Sequence, residues 1–286
     1  MKKLLYQFDT DALPSVFDNV VAYDGGADHI AAYGTVSPKN VGGLVEGAIF
    51  TRGLNDKKNT AIFVGGGNMA EGEAVLAAVR KKFFGKFRVS VMFDSNGCNT
   101  TAAAAVAWLA HGRPLAGKRA VVLGGSGPVG QRAAVLLAGE GATVAITGRK
   151  REVVQAACDA IRARFGVAVQ AIEAPSNAER GAAIDGAHIV LATGAAGVTL
   201  LDEPQWRDSH SLELIADANA SPPAGIEGVA PNDRGAAKHG KIVFGSLGFG
   251  ALKLALHRAC ISRLFEQNDL VLDAEEIYAI ARSMVG

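Results

Sequence analysis

The apolar run Arg119-Ala120-Val121-Val122-Leu123 passes through Gly124 into Gly125-Ser126-Gly127-Pro128-Val129-Gly130. A strand that ends in G-x-G-x-x-G and opens a helix is the first turn of a dinucleotide-binding βαβ unit. The first glycine is expected to allow the tight turn and the second to let backbone approach a pyrophosphate. The third is expected to let helix and strand pack closely. Helix N–H groups from Pro128 onward then face the negative charge of the ligand.

The second strand of the unit points to the kind of dinucleotide. Gly139-Glu140-Gly141-Ala142 closes the helix, and Thr143-Val144-Ala145-Ile146 is a short β run. About 20 residues past the fingerprint, NAD-preferring domains carry an acid for the ribose 2′-hydroxyl. This chain has Thr147-Gly148-Arg149-Lys150-Arg151 there instead. A carboxylate would repel a 2′-phosphate, whereas a guanidinium can bind it bidentately. The reading is NADP, clamped by Arg149 and Lys150 with Thr147 as a neutral contact and Arg151 turned to solvent. The alternative is a solvated basic start to the next helix.

Strand-like and helix-like segments alternate along all 286 residues, which predicts an α/β fold with a mostly parallel sheet. Two domains are expected. A smaller N-terminal α/β domain spans 1–110, completed by C-terminal helices in 250–286. A Rossmann-type NADP-binding domain spans 111–249, with a cleft between the two and a hinge at Gly112-Arg113-Pro114. In the first domain the pattern predicts strands at 4–8, 61–64 and 88–93, and helices over 38–50 (capped by Ser37), 69–83 and 101–109. In the second it predicts strands at 119–123, 143–146, 167–170, 188–192, 213–216 and 241–244, and helices over 152–165 and 178–184. Helices over 250–265 and 274–284 finish the chain, the last capped by Asp273.

Hydrophobic residues make up 49% of the chain, charged residues 20%, and the formal net charge is +1. No strong field therefore points to nucleic acid or an anionic membrane. Cys98, Cys158 and Cys260 lack C-x-x-C spacing, which suits a reducing compartment. With no signal-peptide pattern after Met1 and no apolar run of membrane-spanning length, a cytoplasmic enzyme is expected.

Ligands of open α/β sheets gather at the carboxyl ends of strands. Those ends carry Asp9 and Asp11, Gly65–Gly67, Asp94-Ser95-Asn96, Thr193-Gly194-Ala195 and Asp217–Asn219. Thr193-Gly194-Ala195 is expected under the nicotinamide-ribose end, or as a plain left-handed turn. The six histidines form no metal-binding spacing, and no nucleophile elbow or activated cysteine is evident. None of Tyr6, Tyr23, Tyr33 and Tyr278 is followed by Lys in a Tyr-x-x-x-Lys pair. The chain thus offers a hydride acceptor without an obvious proton acceptor. That combination suits oxidation of a methylene flanked by two nitrogens, because hydride loss leaves an amidinium-like cation and no proton need move.

Several segments carry a specific resemblance. They are 7–11 (QFDTD), 14–18 (PSVFD), 23–29 (YDGGADH), 60–67 (TAIFVGGG), 94–97 (DSNG), 99–101 (NTT), the fingerprint, Gly148-Arg149-Lys150, 252–254 (LKL) and 256–261 (LHRACI). With these the chain resembles the NADP-dependent methylene-tetrahydromethanopterin dehydrogenases of methylotrophic bacteria along essentially its whole length. The resemblance implies reversible hydride transfer from methylene-tetrahydromethanopterin, or in some members methylene-tetrahydrofolate, to NADP in one-carbon metabolism. It also implies a homo-oligomer, a trimer or hexamer.

Carried onto these positions, the resemblance gives a pterin site in the first domain and the returning C-terminal helix. Lys253 is the residue expected at the reacting centre, touching a carbonyl or ring nitrogen, since an ammonium against the bridge carbon would oppose the developing cation. Asp18 and Asp24 are candidates for the donor-rich edge of the pterin, or else N-cap and turn residues. Asn99, Thr100 and Thr101 orient the substrate or only cap a helix. His257, one turn after Lys253, is a substrate-side candidate that suits packing better than catalysis. Gly124, where relatives carry Ala, looks neutral. Two other readings stay open: a bifunctional methylene-tetrahydrofolate dehydrogenase/cyclohydrolase, which would use a Tyr-x-x-x-Lys-type site, and a non-catalytic NADPH-binding regulator.

Overall fold

A computed structural model describes residues 1–285. In chain order the elements begin β1 (Leu4–Asp9), α1 (Val16–Asp24), β2 (His29–Tyr33), α2 (Val41–Phe50), β3 (Thr60–Gly65) and α3 (Met69–Lys81). They continue with β4 (Ser90–Phe93), α4 (Cys98–Ala110), β5 (Arg119–Leu123), α5 (Pro128–Gly139), β6 (Thr143–Gly148) and α6 (Arg151–Phe165). Next come β7 (Gln170–Glu173), α7 (Asn177–Ala183), β8 (Ile189–Ala192), α8 (Glu203–Arg207) and β9 (Leu214–Asp217). The chain closes with β10 (Arg234–Lys238), β11 (Lys241–Phe244), α9 (Ser246–Arg263), β12 (Val271–Leu272) and α10 (Ala274–Val285).

Two compact units result, one of 1–100 with 254–280 and the other of 101–253 with 281–285. The divisions fall inside α4, α9 and α10 rather than at the expected hinge near Gly112, and the first lies ten residues earlier than expected. The first unit holds a five-stranded sheet in the order β12-β4-β3-β1-β2, with every pairing parallel. Its core joins Phe8 and Ile62 from the strands to Val45 and Ile49 of α2 and Val75 and Val79 of α3. All six residues of β3 are buried, as befits an inner strand covered on both faces. The second unit holds a seven-stranded sheet in the order β10-β11-β9-β8-β5-β6-β7, parallel except for the β10–β11 hairpin. Its core gathers Val121, Leu123, Val190, Ile215 and Val243 with the fully buried Trp206.

Elements that periodicity did not reveal are α1, β2, α8, β10 and β12. The last is only two residues long, and its place is fixed by pairing with Val91 and Met92. Several boundaries also differ. α2 starts at Val41, not at Pro38, because Asn40 accepts from the Ser37 N–H (2.8 Å) and donates to the Thr35 carbonyl (2.9 Å), holding 35–40 as a turn. α4 begins at Cys98 because the Asp94 carboxylate receives the N–H groups of Asn99 (2.8 Å) and Thr100 (3.0 Å). β7 lies three residues later than the apolar run at 167–170 suggests. α9 extends back to Ser246 through two glycines, and a Cβ on Gly248 would stand 1.8 Å from the Asp233 carbonyl oxygen. That glycine is therefore a close approach of backbones and does not break the helix.

Candidate active site

In the second unit the chain runs β5, β6, β7 to one side and returns to β8 on the other, so the sheet reverses between β5 and β8. Open α/β sheets bind ligands at the carboxyl ends of such a pair, and those ends carry 124–130 and 193–195. The residue in the left-handed region is Gly124 (φ 66°), not Gly125, and a Cβ there would lie 2.7 Å from Gly194 Cα. Position 124 is thus far from neutral: alanine would be both strained and obstructed. Gly125 instead makes room for Ile146, whose Cβ would be 2.7 Å from an added Cβ. Gly130 fulfils the packing role expected of it, since its Cβ would meet Gly125 Cα at 2.5 Å and Thr193 Oγ1 at 2.6 Å.

Gly127 stands apart from these three. A Cβ on it would find nothing nearer than the Gly124 carbonyl oxygen at 3.8 Å. It is also the N-cap of α5, which has Pro128 at its start and no side-chain cap. An open glycine at the uncapped N-terminus of a twelve-residue helix is the geometry that admits a pyrophosphate. Ser126, half-buried, accepts from Gln131 Nε2 at its carbonyl (2.8 Å), which steadies the turn, and Val129 follows in the first turn of α5.

Thr147 is buried and belongs to the loop's support: its Oγ1 accepts from the Gly124 N–H (3.2 Å) and its carbonyl from the Gly125 N–H (2.9 Å). Thr147 therefore buttresses the loop. Gly148 ends β6 against Val154, and Arg149 and Lys150 follow it exposed. Arg151 does not simply face solvent; its guanidinium donates to the Ala171 carbonyl at 3.1 Å. Thr193 Oγ1 donates to the Leu123 carbonyl (3.2 Å), and Ala195 is exposed. Gly194 is no left-handed turn. Its small size admits Leu200, whose Cδ1 would be 2.7 Å from a Cβ there; the positive φ in this loop is at Gly197. At the end of β9, Asp217 is buried and accepts from the N–H groups of Asn219 (2.9 Å) and Ile226 (3.0 Å). Burial pushes its carboxyl above the usual range, against the pull of those N–H donors. Lys253 is half-buried on α9.

The first unit repeats the topology with different chemistry. Its chain runs from β1 to β2 on one side and then to β3 on the other, so the reversal lies between β1 and β3. Asp9, buried at the end of β1, receives the N–H groups of Asp11 (2.9 Å) and Ser15 (3.1 Å) and the Gln7 side-chain amide (3.3 Å). Asp11 receives the Gly67 N–H at 2.9 Å, tying the β1 loop to the β3 loop. Gly66 has φ 109°, and a Cβ on it would fall 1.9 Å from Thr10 Oγ1. Ser15 caps α1 by accepting from the Asp18 N–H, and this sets Asp18 at the mouth. There Asp18 Oδ2 and Asp9 Oδ2 lie 3.7 and 3.6 Å from where a Gly65 Cβ would be.

The remaining substrate-side candidates separate by burial. Asn99 and Thr100 are fully buried; Thr100 Oγ1 donates to Asp94 Oδ2 (2.6 Å), and Asn99 Nδ2 donates to the Phe93 carbonyl (2.6 Å) and Asp273 (3.1 Å). Thr100 Oγ1 thus holds the Asp94 carboxylate that receives the first N–H groups of α4, and Asn99 ties the start of that helix to Phe93 and Asp273. Thr101 is half-buried beside them in sequence. Asp24, at the end of α1, pairs with Arg258 at 2.6 Å. His257 is buried, stacked on Phe63 with ring centres 5.5 Å apart, and Phe17 packs on it at 6.3 Å. Among the described residues, no group of three His, Cys, Asp or Glu side chains that could hold a metal ion comes together. No helix among them is long and apolar enough to cross a membrane.

Two doubly wound sheets, one with an open glycine at a helix N-terminus, define a two-unit α/β protein with a Rossmann-like unit. The same architecture occurs in quinate dehydrogenase from Corynebacterium glutamicum, solved with NAD (TM-score 0.53, 14% identity, 99% of each chain). It occurs also in shikimate 5-dehydrogenase from Listeria monocytogenes (TM-score 0.53, 14% identity, 98% of this chain and 96% of that one). Sequence relationship is closer elsewhere. Residues 16–96 match the N-terminal domain family of methylene-tetrahydromethanopterin dehydrogenase. Over 285 residues the chain is 58% identical to the bifunctional protein MdtA of Methylorubrum extorquens, covering 99% of both. It is 32% identical over 282 residues to the NAD(P)-dependent methylenetetrahydromethanopterin dehydrogenase of the same organism, covering 95% of both. The chain belongs to the methylene-tetrahydromethanopterin dehydrogenase family and is an oxidoreductase.

Proposed function

We propose that this enzyme oxidises methylene-tetrahydromethanopterin, and also methylene-tetrahydrofolate, to the methenyl form with NADP. The observation that carries the reading is the similarity, over nearly the full length, to two proteins of this family, one of them named for this reaction. The word bifunctional in the name of the other supports a second activity here too. We take it to be the same hydride transfer on the folate carrier, because both carriers share the reacting bridge and differ mainly in their tails. A cyclohydrolase step lacks its Tyr-x-x-x-Lys site in this sequence, and a regulator without catalysis has no use for the carboxylate edge of the first unit.

The bound nicotinamide supplies the hydride acceptor. The chain's own contribution is binding and orientation. Gly127 and the first turn of α5 take the pyrophosphate, with Ser126 and Val129 flanking it, and Arg149 and Lys150 take the 2′-phosphate. Thr193, Gly194 and Ala195 floor the nicotinamide-ribose end. In the first unit, Asp18 accepts from the amino and ring N–H groups of the pterin, and its charge favours the cation that develops at the bridge. Lys253 donates to a carbonyl or ring nitrogen of the substrate. No side chain has to move a proton. Asn99, Thr100, Asp24 and His257 act by shaping the first unit.

Steady-state rates with each methylene-pterin, using NADP and NAD in parallel, test this. Turnover of both carriers with NADP preferred is expected; a preference for NAD, or no turnover of either carrier, overturns it.

A further inference from the structure

Three rings form a ladder that leads out of the core of the first unit to the mouth between β1 and β3. Phe63, 1% exposed, lies on β3 two residues before Gly65, and its Cε1 would be 3.0 Å from a Cβ on that glycine. His257, also 1% exposed, stacks on it with the ring planes 25° apart. Phe17 is the other ring contact of His257, tilted by 44°, and is 50% exposed. Phe17 thus presents a half-open aromatic face beside a polar mouth, an apolar surface that a flat ring would cover with gain. It is backed by two buried rings. Its chain neighbour is Asp18, whose carboxylate lies at the same mouth. Both positions are in the first turn of α1, which the Ser15 cap fixes.

We propose that Phe17 is the stacking surface for the flat bicyclic ring of the substrate and a determinant of ring recognition. The inference rests on the pterin reading above. Asp18 receives the ring's N–H edge while the exposed part of Phe17 covers its face. His257 serves as the spacer that holds Phe17 in place. An aromatic face and an adjacent acceptor together select a planar heterocycle with a donor edge. A sugar or an aliphatic acid satisfies only one of the two.

The test uses Phe17→Ala, Phe17→Leu and Phe17→Tyr in the full-length enzyme. It measures KM and kcat with methylene-tetrahydromethanopterin and methylene-tetrahydrofolate, inhibition by a tail-less tetrahydropterin, and NADP affinity. Phe17→Ala and Phe17→Leu are expected to raise both KM values and the inhibition constant by about tenfold, by the same factor for both carriers, since they share the ring. NADP affinity stays at the wild-type value, and Phe17→Tyr restores ring binding. An unchanged inhibition constant in Phe17→Ala overturns the proposal. So does an effect on one carrier alone, which would put Phe17 against a tail. A changed oligomeric state with unchanged ring affinity also overturns it, because Phe17 would then belong to a subunit contact. Failure of the pterin reading itself shows differently: the wild-type enzyme would turn over neither carrier.

Discussion

In the unit that carries Gly124–Gly130, the carboxyl edge of the sheet is bare backbone with exposed Arg149 and Lys150 beside it. In the other unit, the corresponding edge between β1 and β3 is lined by Asp9, Asp11 and Asp18. Both edges sit where the strand order reverses, and both depend on a glycine with no room for a side chain: Gly124 against Gly194 in one, Gly66 against Thr10 in the other. Topology therefore sets the place of a ligand, and side chains set its charge. One edge suits an anion held by N–H groups and cations; the other suits a donor-rich ring held by carboxylates. The hydride transfer proposed above moves no proton, so it would need two binding surfaces of opposite polarity and no acid or base.

The comparison breaks most visibly at Gly130. Placing a methyl 2.5 Å from Gly125 Cα forces the α5 turn outward, so Gly130→Ala should weaken NADP binding about a hundredfold and cost about 1–3 kcal/mol of stability. Titration with NADPH and thermal melts would read the two effects. Undiminished NADPH binding would show that the close approach of α5 is not needed.

Arg149 and Lys150 test whether the polarity of that edge selects the phosphate. With both changed to Ser, kcat/KM for NADP should fall about a hundredfold while that for NAD stays within about twofold, since only the 2′-phosphate loses charge-assisted bonds. Equal losses for both dinucleotides would assign the two residues to the fold. Lys253→Ala should lower kcat about tenfold or more through loss of orientation, with NADP affinity intact; loss of cofactor affinity would contradict its assignment to substrate.

Two further substitutions sharpen the contrast by touching structure alone. Asp94→Ala leaves the buried N–H groups of Asn99 and Thr100 without their acceptor and should cost about 1–3 kcal/mol in urea unfolding with KM values unchanged. A raised pterin KM at normal stability would return Asn99 and Thr100 to the substrate. Asp24→Asn opens a pair with Arg258 that is more than two-fifths exposed on both sides, and should cost no more than about 1 kcal/mol. A tenfold rise in pterin KM there would mean that Asp24 leaves Arg258 to meet the ligand.

Much of the second unit was legible because its signals are local. Strand, glycine turn and Pro-led helix follow one another within a dozen residues, and the position of the basic pair is counted from them. The role of each glycine was less legible. The pattern begins at Gly125, but the left-handed residue is Gly124, and what obstructs a side chain there is Gly194, seventy residues away. The first unit was harder to read. β2 is an edge strand of five residues with one buried position, and α1 has an outer face bearing exposed Val16, Val20 and Tyr23, so neither shows the usual pattern. Phe17 carries no signal in the sequence, because an aromatic in the first turn of a helix is told from a core residue only by its exposure.

By itself the sequence determined the alternation of strands and helices, the glycine turn before α5, the positive charge after β6 and the kinship of the whole chain, because each is written in neighbouring residues. Only the tertiary structure decided which carboxylates are consumed by backbone N–H groups and which stand at the reversal of a sheet. Asp94 and Asp217 turn inward to bind backbone N–H groups, while Asp18 stands near Gly65 at the reversal between β1 and β3. The physical reason is that a carboxylate's task depends on the donors around it, and those donors come from distant segments that only the parallel pairing of strands brings together.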